Sequence, residues 1–208
     1  MGKIRFYAFM LLLIVGGAAI MFVSINESKN MKKDPIDLYD SSVDWDDIEE
    51  GDHIEMDVPI VIGCYARLEN EKTGEDSQRF YCMPLYNEET GEVTNFIGIH
   101  LNDKNDFAQY EGITDDIDAW LESPDLELPS VETVHISGVV KKMTEEQYDF
   151  HEDFLVNDWG FDEDLVNDSK YQLYIDPAEK HGTAMTLIGA AALLIGIGGI
   201  AFSIVKRR

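Results

Sequence analysis

Apolar residues are continuous at both ends of this 208-residue chain and periodic between them. From Phe6 to Ile25 no charge interrupts the run, and Thr183 to Val205, "TAMTLIGAAALLIGIGGIAFSIV", is again uncharged. At 1.5 Å per residue, about 20 apolar residues cross the roughly 30 Å hydrocarbon core of a bilayer. A buried helix of a soluble protein is rarely apolar on every side for so long. The pattern predicts two transmembrane helices, residues 6–25 and 183–205.

The interior alternates instead. "DVPIVIGCYARLE", "QRFYCMPLY" and "VTNFIGIHL" read as three strands, separated by "EKTGE" and "EETGE". A Thr-Gly pair suits a three-residue hairpin loop in which Gly74 or Gly91 takes positive φ. The two copies are therefore read as two turns of a meander, not as a functional repeat. With Glu71 facing Glu75, Cys64 falls directly opposite Cys82, at a close pair that accepts a disulfide; two reduced, buried thiols are the alternative. Their face of the sheet also carries Ile62, Phe80 and Phe96, and is expected to be the core face. Tyr81, Met83, Ile97 and Ile99 on the other face also need a cover.

Further on, "TDDIDAWLE" suggests a helix capped by Thr114, with Asp115 and Asp116 at its positive end. A break, "SPDLELPS", leads to the strand "VETVHISGVVKKM". Thr144 and Gln147 then make a capping box, which opens a helix to about Asn157 with Tyr148, His151 and Leu155 along one stripe. "KYQLYID" is the last strand. Two transmembrane helices thus flank one β-rich α+β domain, an antiparallel meander.

This order of elements resembles the OB fold, a five-stranded barrel, over about residues 50–176; an α+β sandwich is the alternative. The layout also resembles uncharacterised two-pass bacterial membrane proteins with an OB-like extracytoplasmic domain. The expected organisation is a cytoplasmic N-terminus (1–5), the first helix (6–25), a juxtamembrane linker (26–43), the domain (44–176), a second linker (177–182), the second helix (183–205) and a cytoplasmic C-terminus (206–208).

Charge supplies orientation. Lys3 and Arg5 precede the first helix, and Lys206, Arg207 and Arg208 follow the second; basic flanks collect on the cytoplasmic side. Residues 26–182 are then extracytoplasmic at the plasma membrane. They hold all 41 acidic residues and 11 of the 16 basic ones, a net of −30. An N-terminal basic and apolar stretch also describes a signal peptide, but this run is long and "MFVSINES" is a poor cleavage site.

Small residues in the helices, notably Gly16, Ala192 and Gly196, permit close packing against each other, a partner or a second copy. Neither helix carries an internal ionisable group, which argues against a transporter. No nucleophile elbow, phosphate loop or HExxH is present. The acidic run "DWDDIEEGD" makes Asp44, Asp46, Asp47, Glu49 and Asp52 the candidate cation ligands, with Ca²⁺ the fitting ion. The alternative is a plain solvated acidic surface, since the run lacks the EF-hand spacing. Nucleic acid is disfavoured by so negative a domain. The expectation is a non-enzymatic membrane protein whose domain binds a membrane or envelope protein; an extracytoplasmic sensor of a ligand or divalent cation is the second reading.

Overall fold

In a computed structural model of the full chain, residues 3–87, 90–122, 133–177 and 182–205 are described. The chain divides into two units, one formed by residues 1–32 and 178–208 and the other by residues 33–177. The break at 123–130, Glu88, most of the second linker and the basic residues 206–208 lie outside the described residues.

The first unit is an antiparallel helix pair, α1 (Lys3–Asn30) and α5 (Gly182–Val205). At 1.5 Å per residue they run about 42 and 36 Å, long and apolar enough to cross a membrane. Gly196 lies against Ile14 and the Met10 carbonyl, and Ala192 lies beside Gly17. Gly16, expected at the interface, has nothing within 4 Å of where a side chain would begin. Its neighbour Gly17 is the packing glycine, meeting the Gly189 carbonyl, because one residue rotates a helical position by about 100°. Hydroxyl pairs close both ends of the seam, Tyr7 Oη with Ser203 Oγ at 2.8 Å and Ser24 Oγ with Thr186 Oγ1 at 2.6 Å.

The second unit is built on a six-stranded sheet: β1 (His53–Val58), β2 (Gly63–Glu69), β3 (Asp76–Tyr86), β4 (Val93–Leu101), β5 (Val134–Lys142) and β6 (Leu173–Pro177). Its order is β1-β5-β6-β4-β3-β2, with β4 and β6 parallel and every other pair antiparallel. The meander is present as β2-β3-β4, but the closed barrel is not formed, because β1 and β2 end the order and do not pair with each other. The sheet is nevertheless curled. Val58 and Gly63 can lie at most about 17 Å apart along the chain, whereas edges of six flat strands would stand about 24 Å apart.

The extra strand, β1, alternates buried Ile54, Met56 and Val58 with outward Glu55 and Asp57. Pro59 ends it by withholding an N–H. Residues 33–43, expected as a linker, are part of the domain: Ile36 bridges Ile54 of β1, and Leu38 is fully buried.

Both hairpins use one device, longer than the five-residue repeat. The Asn70 N–H donates to the Glu75 carbonyl at 2.9 Å, and Asn87 repeats this with Glu92 at 2.9 Å. Asn70 Oδ1 accepts from Lys72 N, and Asn87 Oδ1 from Thr90 N. Gly74 and Gly91 take φ of 66° and 71°. The unit is N-x-x-T-G-E, and the first loop spans four residues, Glu71 to Gly74, instead of three, because the Asn side chain caps it from within.

The helix after β4, α2 (Lys104–Glu122), starts ten residues before the expected cap. Thr114 is interior and its hydroxyl donates to the Tyr110 carbonyl one turn back, while Asp103 accepts the Asn105 N–H at the true start. The capping box of Thr144 and Gln147 forms as expected at α3 (Glu145–Asp153), which widens into a π turn (Phe154–Asp158) before α4 (Glu163–Asp168).

Candidate functional site

The register of β2 on β3 decides where the cysteines go. Ala66, Arg67 and Leu68 face Phe80, Arg79 and Gln78 as the sequence reading requires, but an irregularity between Cys64 and Ala66 sets Cys64 opposite Tyr81 and Gly63 opposite Cys82. One inserted residue reverses the side-chain alternation. Cys64 therefore packs with Tyr81 and Met83, Cys82 lies on the opposite face with Phe96 and Leu155, and both thiols are free. Burial pushes the Cys82 thiol well above its ordinary pKa.

The acidic run is a string of turn caps. Asp44 Oδ1 accepts the Asp46 N–H at 3.0 Å, opening a 3-10 turn at Trp45–Asp47. Asp52 Oδ2 accepts Glu49 N at 2.9 Å while Oδ1 accepts Lys33 Nζ at 3.2 Å. Asp47 and Glu49 point to solvent. Among the described residues no three His, Cys, Asp or Glu side chains come together as a metal site. The five expected ligands do not converge: Asp44 and Asp52 spend their carboxylates on the backbone of their own turns, and Asp46, Asp47 and Glu49 are exposed.

A His–Asp pair, by contrast, is assembled across the sheet. His100 Nδ1 donates to Asp176 Oδ1 at 2.6 Å, and Lys141 forms an ion pair with the same carboxylate. Burial raises the Asp176 pKa, but the hydrogen bonds from His100 and Lys141 outweigh it and hold the carboxyl below its ordinary value. Phe80 stacks on the imidazole at 4.7 Å, and the enclosed Nε2 has no partner among the described residues. No hydroxyl or thiol therefore stands at the nitrogen that would activate it.

Beside this pair, His151 is fully buried and stacked on Tyr65 at 4.1 Å. Its Nδ1 donates to the Tyr171 carbonyl at 2.7 Å. Desolvation lowers its pKa to about 4, against the raising effect of that hydrogen bond. His135 is exposed and bonds Asp57 at 2.9 Å, an ordinary surface pair.

A pronounced concavity among the described residues lies at the end of the sheet where the strap, residues 33–52, crosses it. This open cleft of about 860 Å³ is lined by strap residues Leu38 to Asp46, by Tyr86 ending β3 and Asn87 after it, by Thr94 and Asn95 in β4, and by Asp168 ending α4. Tyr39 Oη donates to the Pro84 carbonyl at 2.7 Å and Lys170 Nζ to the Asp46 carbonyl at 2.8 Å, adding to the backbone bonds at Ile36 and Gly51 that tie the strap to the sheet, and Trp45 Nε1 donates within the strap to the Leu38 carbonyl at 2.6 Å. Tyr39 and Tyr86 rings stand 5.2 Å apart in the wall. Asp40 accepts the Ser42 hydroxyl and N–H at 2.6 and 2.8 Å, bonds that hold its carboxyl below the ordinary value.

Asn95 is the buried polar residue of the lining, 5% exposed. Its Oδ1 accepts the Lys170 N–H at 2.5 Å and the Phe96 N–H at 2.9 Å. No hydrogen bond engages its Nδ2 among the described residues, and Nδ2 is not one of the enclosed unpaired atoms, so solvent reaches it from the cleft. Of the candidate cation ligands, only Asp44 and Asp46 line the cleft; the aromatic wall, Asp168 and Asn95 come from segments distant in sequence. The local signal available was the acidic-aromatic mixture of "DLYDSSVDW".

Residues 1–205 match the family described as "Domain of unknown function (DUF8577)", and the chain belongs to that family. No curated protein and no solved structure matches it.

Proposed function

We propose that this member of the DUF8577 family is a non-enzymatic, membrane-anchored binding protein whose acidic domain engages another protein through the strap cleft. In this reading α1 and α5 cross the plasma membrane, both termini are cytoplasmic, and the domain is extracytoplasmic. The uncharged runs and their basic flanks support the anchoring and the orientation. The observation that carries the binding role is the cleft, which gathers aromatic walls, carboxylates and the NH2 donors of a backbone-anchored amide from four separate segments. Such a concave site with a few convergent polar groups is the default place for recognition.

The curl of the sheet also supports an OB-like relation. β1 and β2, four residues apart, act as one broken strand whose halves take opposite ends of the strand order.

A photo-crosslinking residue at Ser41, inside the cleft, tests the binding role in intact cells. The expected result is an adduct of defined mass from Ser41 and none from Asp116 on the exposed side of α2. Adducts from both positions, or from neither, overturn it.

A further inference from the structure

The cleft's chemistry narrows the partner. Asp40, Asp44, Asp46 and Asp168 surround it with acceptors, and nothing basic appears in its lining. Carboxylates alone would be only an acidic surface. The second, independent feature is Asn95, buried in the lining with its oxygen committed to two backbone donors, which fixes the orientation of its NH2 group and leaves both N–H donors without a partner among the described residues. The NH2 group opens on the cleft, where water or a ligand oxygen accepts from it. A divalent ion cannot serve those donors, and the carboxylates do not converge on one.

We propose that the cleft takes an extended basic peptide segment of a protein partner. A Lys or Arg side chain enters among the carboxylates with its aliphatic stem along Tyr39 and Tyr86, and a peptide carbonyl of the same segment accepts from Asn95 Nδ2. The net charge of −30 on residues 26–182 attracts such a segment over distance. This rests on the partner-binding reading of the same cleft and adds the partner's chemistry to it.

The test uses the full chain in mild detergent at about 0.15 M salt, where exposed charges are screened beyond roughly 8 Å. Fluorescence anisotropy compares a labelled peptide carrying spaced Lys and Arg with a twin in which these are Gln. The expected result is binding of the basic peptide, weakened about tenfold or more in the twin and in Asp40→Asn/Asp168→Asn. Asp115→Asn/Asp116→Asn, which removes the same charge from α2, changes affinity less than about twofold.

Asn95→Asp is the sharper variant. It keeps the oxygen that the backbone needs, removes the donor and adds negative charge. General attraction to an acidic surface makes it bind equally or better; the proposed site makes it bind several-fold worse. Thermal melts of each variant separate lost binding from lost folding, and Thr94→Val, beside Asn95 in the lining, is the replacement for an Asn95→Asp that does not fold, with weaker binding expected again. Equal loss in the α2 control, tighter binding by Asn95→Asp, or equal binding of the Gln twin overturns the proposal. A Ser41 adduct whose yield ignores Asp40→Asn/Asp168→Asn sinks the basic peptide and leaves partner binding standing. Specific peptide binding without any Ser41 adduct in cells does the reverse.

Discussion

On one face of the sheet Tyr81, Met83, Ile97 and Ile99 meet α2 and the strap, with Phe107, Tyr110 and Ile113 supplying the helix side. On the other face Phe80, Cys82, Phe96 and Tyr174 meet α3, the π turn and α4, and two histidines come with them. The first face meets its polar needs with hydroxyls that reach carbonyls, as Tyr39 does at Pro84. The second encloses two imidazole nitrogens, Nε2 of His100 and of His151, that have no partner among the described residues. Equal burial thus gives one face an almost purely hydrophobic stability and the other a dependence on protonation, because desolvating a charge costs far more than desolvating a ring.

Truncating each face should have a similar energy and a different signature. Phe96→Ala is expected to cost about 3–5 kcal/mol and Ile99→Ala about 2–5 kcal/mol in urea unfolding of the full chain in detergent. Phe96 packs edge-on against Phe161 at 4.8 Å, and Phe161 stacks on Trp159, so its loss should change the tryptophan band of the near-ultraviolet circular dichroism, which Ile99→Ala, beside Tyr81 and Tyr110, should leave in place. A loss of that signal in Ile99→Ala would erase the distinction.

Acid should attack the histidine face first. His151 is held at about 4 when folded and titrates near 6.5 when unfolded, so the unfolded chain binds the extra proton between those values. Stability is complete above about pH 6.5 and falls toward pH 4, by about 3 kcal/mol at most. His151→Asn, which keeps a donor for the Tyr171 carbonyl, should flatten that slope. Asp176, depressed when folded, adds a loss at still lower pH, as it protonates. An unchanged slope in His151→Asn would assign the acid sensitivity elsewhere.

Two glycines should respond with opposite signs. At Gly98 a methyl group would stand 2.6 Å from Met143 Cε and from Tyr65 Oη, so Gly98→Ala should destabilise by about 1–3 kcal/mol. Gly112 in α2 has nothing within 4 Å, and Gly112→Ala should stabilise by about 0.5–1 kcal/mol. Thermal melts check both, and the same sign in both would mean that the two covers are equally loose.

The smallest effect concerns the thiols, which the bulge assigns to different faces. A maleimide should label half-buried Cys64 in the native protein and Cys82 only on unfolding, with no change in stability on reduction. Protection of both cysteines until reductant is added would restore the disulfide and the unbulged register.

The features legible in the sequence are those governed by neighbours along the chain. Uncharged runs mark α1 and α5, the Thr144–Gln147 box marks the start of α3, and Thr-Gly marks both hairpins, because each depends on a few consecutive side chains and their own backbone. Even there the Asn caps were legible and missed, as was the alternation of "HIEMDV" in β1. What the tertiary structure decided is the pairing of distant segments: β1 with β5, β4 parallel to β6, and the strap across the sheet end. Backbone hydrogen bonds carry no residue code, so periodicity names a strand without naming its neighbour. The open curled sheet, the opposed cysteines and the cleft around Asn95 all follow from those long-range pairings, which local pattern does not contain.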